Sequence, residues 1–452
     1  MANLADEVKL KQNSDGKWYN ADGKRVWRAG SLVYTRRGLA WLLFWLLLGD
    51  FTNTLAVTSI PMMLPLHLKN LNYTTTQIAW FTSIGYLACM IVIPLTGMWS
   101  DRIRTRWGRR RPFVLFTAPL WGIGMLMIPY MKTFWGMNLA VAIVSVAGAT
   151  GQVMYYFFND VIPGELMGRF IGAFRFIGFG GTLVFQYGVF RLFDSNPVLV
   201  WWLCGIIGVT FNILMLIMIK EGDYPPPPEK IPILNNINMF VKEGLCNKFM
   251  WMLLLTLGMT ALGAPAANTF YILFFKTNLN MTSNEIGMMM GTGTIIAMAL
   301  AIPAGWIVDR YGPNIIWGLF GAIVGGIQIL MYFFILDKYT CWPFYLVYSG
   351  FNMILGAALL PMMFAHLPKE KFGQLVSVQT LISMIFLFLG TMSLGWIIKM
   401  SGDFYRFSFL YGGIIYCLVP VFLWLMLRFE SPFAHLETSM GRKSNSPNQA
   451  VR

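Results

Sequence analysis

A single carboxylate interrupts the first long apolar run of this chain. Asp50 lies near the middle of residues 39–66, and Arg175 interrupts a later apolar run. An unpaired charge at the centre of a membrane-spanning helix costs at least about 2.5 kcal/mol, so this acid should face a cavity, a partner or a proton. Arg175 is the natural counter-charge, because its planar donor fork can hold a carboxylate or two neighbouring hydroxyl groups. A purely structural Asp50–Arg175 ion pair is the alternative.

Further polar and aromatic residues lie inside other apolar runs and could line a binding site with this pair. Asn53 stands three residues after Asp50 and therefore shares its helical face. Aromatic rings and a few amides are typical of sites for small molecules. Alternatively, a tyrosine in such a run could anchor the chain at the membrane–water interface, and an asparagine or glutamine could form hydrogen bonds between helices. The expected lining is Asn53, Gln152, Tyr155, Tyr156, Asn159, Asn268, Tyr271, Tyr348, Asn352 and Gln379.

The composition indicates a membrane protein. Apolar residues make up 56% of the 452 residues and charged residues 12%, about half of the roughly 25% that is usual in soluble domains. The net charge of +14 could suggest nucleic acid, but the Lys and Arg residues lie between apolar runs, as membrane insertion requires. We therefore expect a lipid bilayer and no nucleic acid as partner. The five cysteines have no metal-ligand spacing, so no metal site is expected.

Twelve apolar segments, numbered spans 1 to 12, are long enough to cross a bilayer as helices, which takes about 20 residues. They predict an all-α membrane protein with twelve transmembrane helices. Their approximate ranges are 39–66, 78–99, 113–131, 137–158, 171–189, 198–219, 249–275, 286–308, 315–336, 342–364, 375–398 and 407–427.

The chain consists of two related halves. A five-residue pattern before span 2 recurs 208 positions later before span 8, so the halves share one plan. In each copy Thr and Gln or Glu have the spacing of a capping box, which predicts a defined helix start. Doubled units of this kind are common in membrane carriers. The first copy is Leu71, Asn72, Thr74, Gln77 and Ile78, and the second is Leu279, Asn280, Thr282, Glu285 and Ile286.

The distribution of Lys and Arg predicts the orientation. If the N-terminus is cytoplasmic, 27 of the 34 Lys and Arg residues lie on the inner side, and this bias places both termini in the cytoplasm. No removable signal peptide is indicated. The predicted organisation is a cytoplasmic segment 1–38, a six-helix bundle 39–219, a cytoplasmic linker 220–248, a second six-helix bundle 249–428 and a cytoplasmic tail 429–452.

Two matched pairs of inner loops contain acids next to helix ends. An acid at a helix C-terminus needs a positive partner, because that end carries partial negative charge. We therefore expect gating contacts in these loops, with Asp160 as a further gate or loop partner. The alternatives are that the arginines only bind anionic lipid and that the turn acids are merely solvated. The expected gating residues are Asp101, Arg102, Arg109, Glu165, Arg169, Asp309, Arg310 and Glu370.

The Asp-Arg loops after spans 2 and 8 resemble those of the major facilitator superfamily, and the likeness covers nearly the whole chain. Within it, the arginine-rich stretch 101–112 looks like that of the glycoside-pentoside-hexuronide:cation symporters and the sucrose transporter-like group, relatives of melibiose permease. The resemblance implies two pseudo-symmetric six-helix bundles, with Asp50 and Arg175 as sugar-binding residues. Tyr155 falls near the group's acid on span 4, and Cys89 and Ile93 replace its sodium ligands.

The resemblance implies a secondary active transporter that moves a sugar or glycoside by alternating access. Without a sodium site, a proton on Asp50 is the economical coupling ion, because a carboxyl group removed from water favours its neutral form. Uncoupled diffusion, a sugar sensor on a carrier scaffold and a non-sugar cargo such as a nucleoside remain alternatives. No enzyme or cofactor motif is found. We expect a monomeric, multi-pass protein of the cell (inner) membrane whose partners are a small-molecule substrate and H⁺.

Overall fold

The computed structural model describes residues 3–4, 11–13, 17–105, 107–222, 248–367 and 372–429. The predicted fold class is confirmed, because all twelve predicted segments form helices. Eleven helices in the described part are long and apolar enough to cross a membrane. Span 5 is the predicted segment that is not among these eleven helices. Arg175 and Gln186 lower its hydropathy.

The helix bounds are as follows. Spans 1 to 3 are Arg36–Asn70, Thr75–Arg102 and Arg111–Met127, the last continued by a 3₁₀ turn at Ile128–Tyr130. Span 4 is Phe134–Gly151 with Val153–Val161, span 5 is Met167–Leu183 with a π-helix Val184–Val189 and a 3₁₀ turn Phe190–Leu192, and span 6 is Pro197–Met218. Span 7 is Lys248–Pro265, a π-helix Ala266–Phe270 and Tyr271–Thr277. Spans 8 to 12 are Ser283–Tyr311, Pro313–Phe334, Lys338–Ala357 with Leu359–His366, Phe372–Met400 and Phe407–Leu427.

The sequence repeat is reproduced in the backbone. Thr74 and Gln77 form the predicted capping box. In the second copy the Thr282 amide donates to Glu285 at 2.8 Å, and the Glu285 amide donates to the Thr282 hydroxyl at 3.2 Å. The asparagines that precede the caps both have positive φ, 61° at Asn72 and 50° at Asn280. Both predicted helix starts are therefore confirmed.

The chain forms two compact units. The first contains residues 1–229 and 272–298, and the second contains residues 230–271 and 299–452. The end of span 7 and the beginning of span 8 thus pack with the first unit. Most of the predicted linker 220–248 and tail 429–452 lies outside the described residues, so the predicted domain boundaries stay predictions.

A small antiparallel sheet precedes span 1, and the sequence interpretation missed it. Its strands are β1 (Asn3–Leu4), β2 (Lys11–Gln12), β3 (Trp18–Tyr19), β4 (Arg25–Ala29) and β5 (Leu32–Tyr34), in the order β1-β5-β4-β3-β2. The available signal was Asp22-Gly23 between β3 and β4, a common hairpin turn, with Gly23 at φ 74°.

The sheet packs against the helices of the first unit. Leu32 and Tyr34 are buried in one apolar cluster with Leu42 of span 1, Phe157 of span 4 and Met215 of span 6. Such a contiguous apolar cluster holds an element in place by excluding water from its surface. The predicted segment 1–38 is therefore partly folded, and its sheet covers the ends of these spans.

Candidate functional site

Asp50 is buried in the first unit with one carboxylate oxygen unpaired. The residue is 2% exposed, and its Oδ1 accepts a long hydrogen bond of 3.4 Å from the Thr54 hydroxyl. Its Oδ2 has no hydrogen-bond partner among the described residues. A buried polar atom without a partner is costly and calls for a specific explanation.

Small residues on span 5 allow this close approach to Asp50. A Cβ atom at Gly178 would lie 3.0 Å from Oδ2 of Asp50, and one at Gly181 would lie 2.2 Å from the carbonyl oxygen of Phe51. One turn further on, the hydroxyls of Thr58 and Thr182 lie 3.2 Å apart. Spans 1 and 5 are therefore in backbone contact beside the carboxylate, and its unpaired oxygen faces this seam.

Arg175 interacts with Asp50 without a direct ion pair. Both Asp50 and Tyr155 are within electrostatic range of its guanidinium, but in the described part of the chain no ion pair joins Asp50 and Arg175. The Arg175 side chain is exposed. The structural ion pair considered above is therefore not formed, because Gly178 rather than Arg175 occupies the position beside Oδ2.

A cavity of about 100 Å³, with a largely apolar lining that includes several amides, lies one turn along span 1 from Asp50. It is lined by Asn53, Gln152 and Tyr155 from the predicted set and by Trp121 and Asn212, which the sequence interpretation did not include. Asn212 was detectable as an amide inside span 6. This volume exceeds the roughly 10–15 Å³ that one water needs and is below the roughly 300–1,000 Å³ of complete ligand pockets. The cavity can therefore hold several waters or part of a ligand.

The other predicted lining residues of span 4 differ in their surroundings. Tyr156 is 38% exposed, and the guanidinium of Arg110 lies 5.1 Å from the centre of its ring. The side chain of Asn159 lies outside the described part. Tyr156, on span 4, thus contacts the loop that follows span 2 and is not among the residues that line the cavity.

In the second unit, the predicted residues divide into accessible and buried ones. Asn268 is exposed on the π-helix of span 7, Asn352 is half-buried, and Gln379 donates to Ser383 at 2.7 Å. Tyr271 and Tyr348 are 1% and 6% exposed. The Tyr271 ring packs 4.4 Å from Phe409 and 5.9 Å from Tyr348. These two tyrosines lie in a packed aromatic interior, and their contact with substrate stays a prediction.

Asp160 connects two arginines of the loop after span 2. Arg109 donates to its carboxylate at 2.9 and 3.0 Å, and Nε of Arg110 lies 2.6 Å from Oδ2. The three side chains are 9 to 16% exposed. Asp160 is therefore a loop partner, one of the two roles expected for it, and Arg109 pairs with Asp160 in this structure.

The same loop is also held by Glu221, which the sequence interpretation missed. Its carboxylate accepts hydrogen bonds from the backbone amides of Arg110 and Arg111 at 3.1 and 3.2 Å, where span 3 begins. A negative charge at a helix N-terminus is favourable. The loop is thus fixed to spans 4 and 6 at two points.

The remaining gating candidates are less constrained. Glu165 pairs with Arg25 of β4 at 3.0 Å, with both side chains about 40% exposed. The side chain of Asp101 and all of Glu370 lie outside the described residues. The other four are exposed: Arg102, Arg169, Asp309 and Arg310. Their gating roles stay predictions.

The two ion pairs of these loops give a matched test. We expect Asp160→Asn to lower the free energy of unfolding by about 3 kcal/mol, since it leaves two buried arginines without their shared counter-charge. Glu165→Gln removes an exposed pair and should cost less than about 1 kcal/mol. Melting temperatures of the two variants in one detergent compare them. Equal shifts would contradict this assignment of Asp160.

A second group of contacts, the Asp194 cluster (Asp194, Lys276, Ser283), joins the spans 5–6 loop to spans 7 and 8. The Asp194 carboxylate accepts from Nζ of Lys276 at 2.6 Å and from the backbone amide and hydroxyl of Ser283 at 2.6 and 2.7 Å. It therefore neutralises the lysine and caps the start of span 8. The sequence interpretation missed this cluster because Asp194 lies more than 80 positions before Lys276 and Ser283.

Below this cluster, spans 5 and 8 pack at contact distance. A Cβ atom at Gly287 would lie 2.2 Å from the carbonyl oxygen of Gln186. The hydroxyls of Tyr187 and Thr292 are 2.8 Å apart, and Thr294 donates to the Gln186 side chain at 2.9 Å. Within the first unit, spans 5 and 8 are therefore in direct contact along this line.

The Asp194 cluster should contribute a pH-dependent stability. Burial raises the pKa of Asp194, but hydrogen bonds from Lys276 and Ser283 outweigh it and hold the pKa below the ordinary value of 3.8. A depressed pKa stabilises the fold above the unfolded-state pKa and ceases to do so as the pH falls through the folded-state value. We expect Asp194→Ala to lower the melting temperature by roughly 1–2 °C at pH 7, given about 1 kcal/mol for a helix cap.

Acid should remove that difference. The melting temperatures of wild type and Asp194→Ala should approach each other as the pH falls below about 4, and should coincide once the pH is below the folded-state pKa of Asp194. Asp22→Ala, an exposed acid of the N-terminal sheet, is the control and should show no such convergence. A difference that persists unchanged at low pH would assign the effect of Asp194 to packing.

Sequence comparison places these features in a family. The Major Facilitator Superfamily matches residues 46–391 and 253–450. An uncharacterized MFS-type transporter of Methanocaldococcus jannaschii is 21% identical over 81% of this chain and 94% of its own length. The human proton-associated sugar transporter A is 35% identical over 92 residues, which are 20% of this chain and 10% of that protein.

The fold agrees with this assignment. A crystal structure of a bacterial homologue of the human lysosomal transporter Spinster, inward-facing and occupied, superimposes with a TM-score of 0.70 at 14% identity, over 87% of this chain and 98% of that one. The chain belongs to the Major Facilitator Superfamily and is a multi-pass membrane transporter.

Proposed function

We propose that this transporter moves a sugar or glycoside across the cell (inner) membrane by alternating access, coupled to protons, with both termini in the cytoplasm. The observation that carries the proposal is that Asp50, Arg175 and Tyr155 lie within electrostatic range of one another, and that Tyr155 lines a cavity with Asn53 and Gln152. The arginine-rich stretch 101–112 supports the narrower assignment to the glycoside-pentoside-hexuronide and sucrose transporter-like group.

The chemistry of the cavity fits a polyhydroxylated ligand. Amides of Asn53, Gln152 and Asn212 can each donate to and accept from hydroxyl groups. The rings of Tyr155 and Trp121 offer apolar faces to the carbon side of a sugar ring. Arg175 is exposed and makes no direct ion pair in the described part of the chain, so its donor fork is available for two neighbouring hydroxyls.

Asp50 is proposed as the proton carrier. Its Oδ2 is buried without a hydrogen-bond donor, and an ionised carboxylate in that state is costly unless it is neutralised. A proton neutralises it, and Arg175 lies close enough to favour the charged form again when the proton leaves. The positions 89 and 93, a cysteine and an isoleucine, supply no oxygen ligand for sodium. Uncoupled diffusion is the alternative that the pH experiments below decide.

The Asp194 cluster and the Asp160 loop supply contacts that such a cycle would break and re-form. Exposed ion pairs such as Lys276–Asp194 cost little to separate. We propose that transport separates spans 5 and 8 where they are now in contact, and that it rearranges the loop after span 2 that pairs with Asp160. The proposed gating residues, including Asp101, Arg102, Arg169, Asp309, Arg310 and Glu370, belong to these rearrangements.

The 35% identity to the human proton-associated sugar transporter A supports a sugar as cargo and a proton as coupling ion, although the match covers a tenth of that protein. A sugar sensor would use the same residues without turnover. A nucleoside carrier would also offer hydroxyl groups to Arg175 and would add a base to stack on an aromatic ring.

A substrate screen separates these functions. Purified protein should gain thermal stability with one class of ligand among monosaccharides, disaccharides, glycosides and nucleosides. Vesicles containing the protein should then take up the labelled form of that ligand. Stabilisation by a sugar without uptake would favour the sensor, and stabilisation by nucleosides alone would overturn the sugar assignment.

A further inference from the structure

An apolar groove of about 790 Å³ runs along the surface of the first unit. Spans 2, 3 and 4 form its walls, with Val92, Leu95 and Trp99 on the first, Phe116 and Leu120 on the second, and Ile143 and Val146 on the third. Phe116 is 71% exposed and Val146 is 47% exposed. The groove is thus open and apolar, and no element in the described part of the chain covers it.

The length of the groove matches one leaflet of a bilayer. On span 2 it extends from Val92 to Ile103, which at 1.5 Å per residue is roughly 16 Å. The hydrocarbon core of a bilayer is about 30 Å thick, so one leaflet is about half of that. A single lipid tail could lie in the groove along its whole length.

One end of the groove is basic and aromatic. Ile103 and Thr105 line this end, and the exposed Arg102 and the half-buried Arg104 flank Ile103 in the chain. Trp99, also at this end, is 56% exposed, and Trp is enriched at the level of lipid headgroups. The positive charge at this end complements the phosphate of an anionic headgroup.

We propose that this groove binds an anionic phospholipid, with one acyl chain between spans 2, 3 and 4 and the phosphate beside Arg102 and Arg104. The tail gains little by leaving bulk lipid, because lipid tails are as apolar as the groove. The two arginines therefore determine which headgroup is preferred, and the groove determines where the acyl chain lies.

Such a lipid would act on the loop that Asp160 holds. The loop begins at Ile103 and Thr105 in the groove and reaches Arg109 and Arg110, which pair with Asp160. A bound lipid would fix the near end of the loop while Asp160 fixes its far end. The site is independent of the cargo, so it can be tested without knowing the substrate.

The test titrates lipid into delipidated full-length protein in detergent and follows the melting temperature. Dioleoyl phosphatidylglycerol should stabilise the protein at concentrations about 25-fold lower than dioleoyl phosphatidylcholine, given about fivefold for each arginine. In Arg102→Gln/Arg104→Gln the two midpoints should coincide. The control Arg428→Gln, an exposed arginine after span 12, should keep the full difference.

A second pair of variants tests the groove itself. Val146→Trp places a bulky ring in the groove and should remove the phosphatidylglycerol shift, whereas Leu139→Trp, exposed on the same span outside the groove, should not. Equal midpoints for the two lipids in wild type, or an unchanged phosphatidylglycerol midpoint in the double arginine variant, would overturn the proposal. A dimer in native mass spectrometry that Val146→Trp dissociates would show that a second copy covers the groove instead.

Discussion

Vesicles containing Asp50→Asn should equilibrate a transported sugar without concentrating it. With one proton per sugar, each pH unit across the membrane sustains about tenfold accumulation, because a pH unit and a tenfold gradient both correspond to about 1.4 kcal/mol. The amide cannot carry the proton, so the accumulation ratio should fall to about 1. Asp50 is buried with an unpaired oxygen, and Asn replaces it at nearly constant volume, so folding should be preserved.

Sugar exchange provides the control for that variant. Exchange of external for internal label needs no net proton movement, and we expect it to persist in part. Asp22→Asn, at an exposed turn of the N-terminal sheet, should accumulate sugar as wild type does. If Asp50→Asn accumulates sugar with an unchanged pH dependence, Asp50 is not the coupling residue.

Arg175→Ala should lose substrate binding while it inserts and folds normally. Hydrogen bonds to charged groups contribute about 1.5–3 kcal/mol, so affinity should fall about 10- to 100-fold. Folding should not suffer, because Arg175 is exposed and makes no direct ion pair with Asp50 in the described structure. Titration calorimetry with the sugar found in the screen measures the loss.

Arg191→Ala is the matched control, since Arg191 is an exposed arginine on the same continuous helical run. It should bind as wild type does. Normal affinity in Arg175→Ala would reduce Arg175 to an electrostatic neighbour of Asp50. A large loss of melting temperature in Arg175→Ala would point to a packing role instead.

Local features of the fold were predictable because local sequence determines them. The capping boxes at Thr74 and Thr282 need only four consecutive residues each, and hydropathy is sufficient to find long apolar helices. The N-terminal sheet was missed because its strands are only two to five residues long. Its stability comes from packing of Leu32 and Tyr34 on distant spans, which local pattern does not reveal.

The candidate site was less predictable, because helix rotation decides which side chains meet. Asp50 was identified by its depth in span 1, but its sequence position did not reveal that Gly178, one turn beyond Arg175 on span 5, lies beside its unpaired oxygen. Tyr155 and Tyr271 looked equivalent in sequence, yet the first lines a cavity and the second packs on Phe409. Residue type indicates that a polar side chain avoids lipid; it does not distinguish a cavity from a packed interior.

Sugar-driven proton movement tests the central claim most directly. Vesicles containing the protein are held without a pH gradient in weakly buffered medium, and the pH outside is followed when sugar is added. Proton coupling through Asp50 predicts alkalinisation of the medium that matches sugar entry about one for one and is absent in Asp50→Asn. Sugar entry by the wild-type protein with no change in external pH would contradict it.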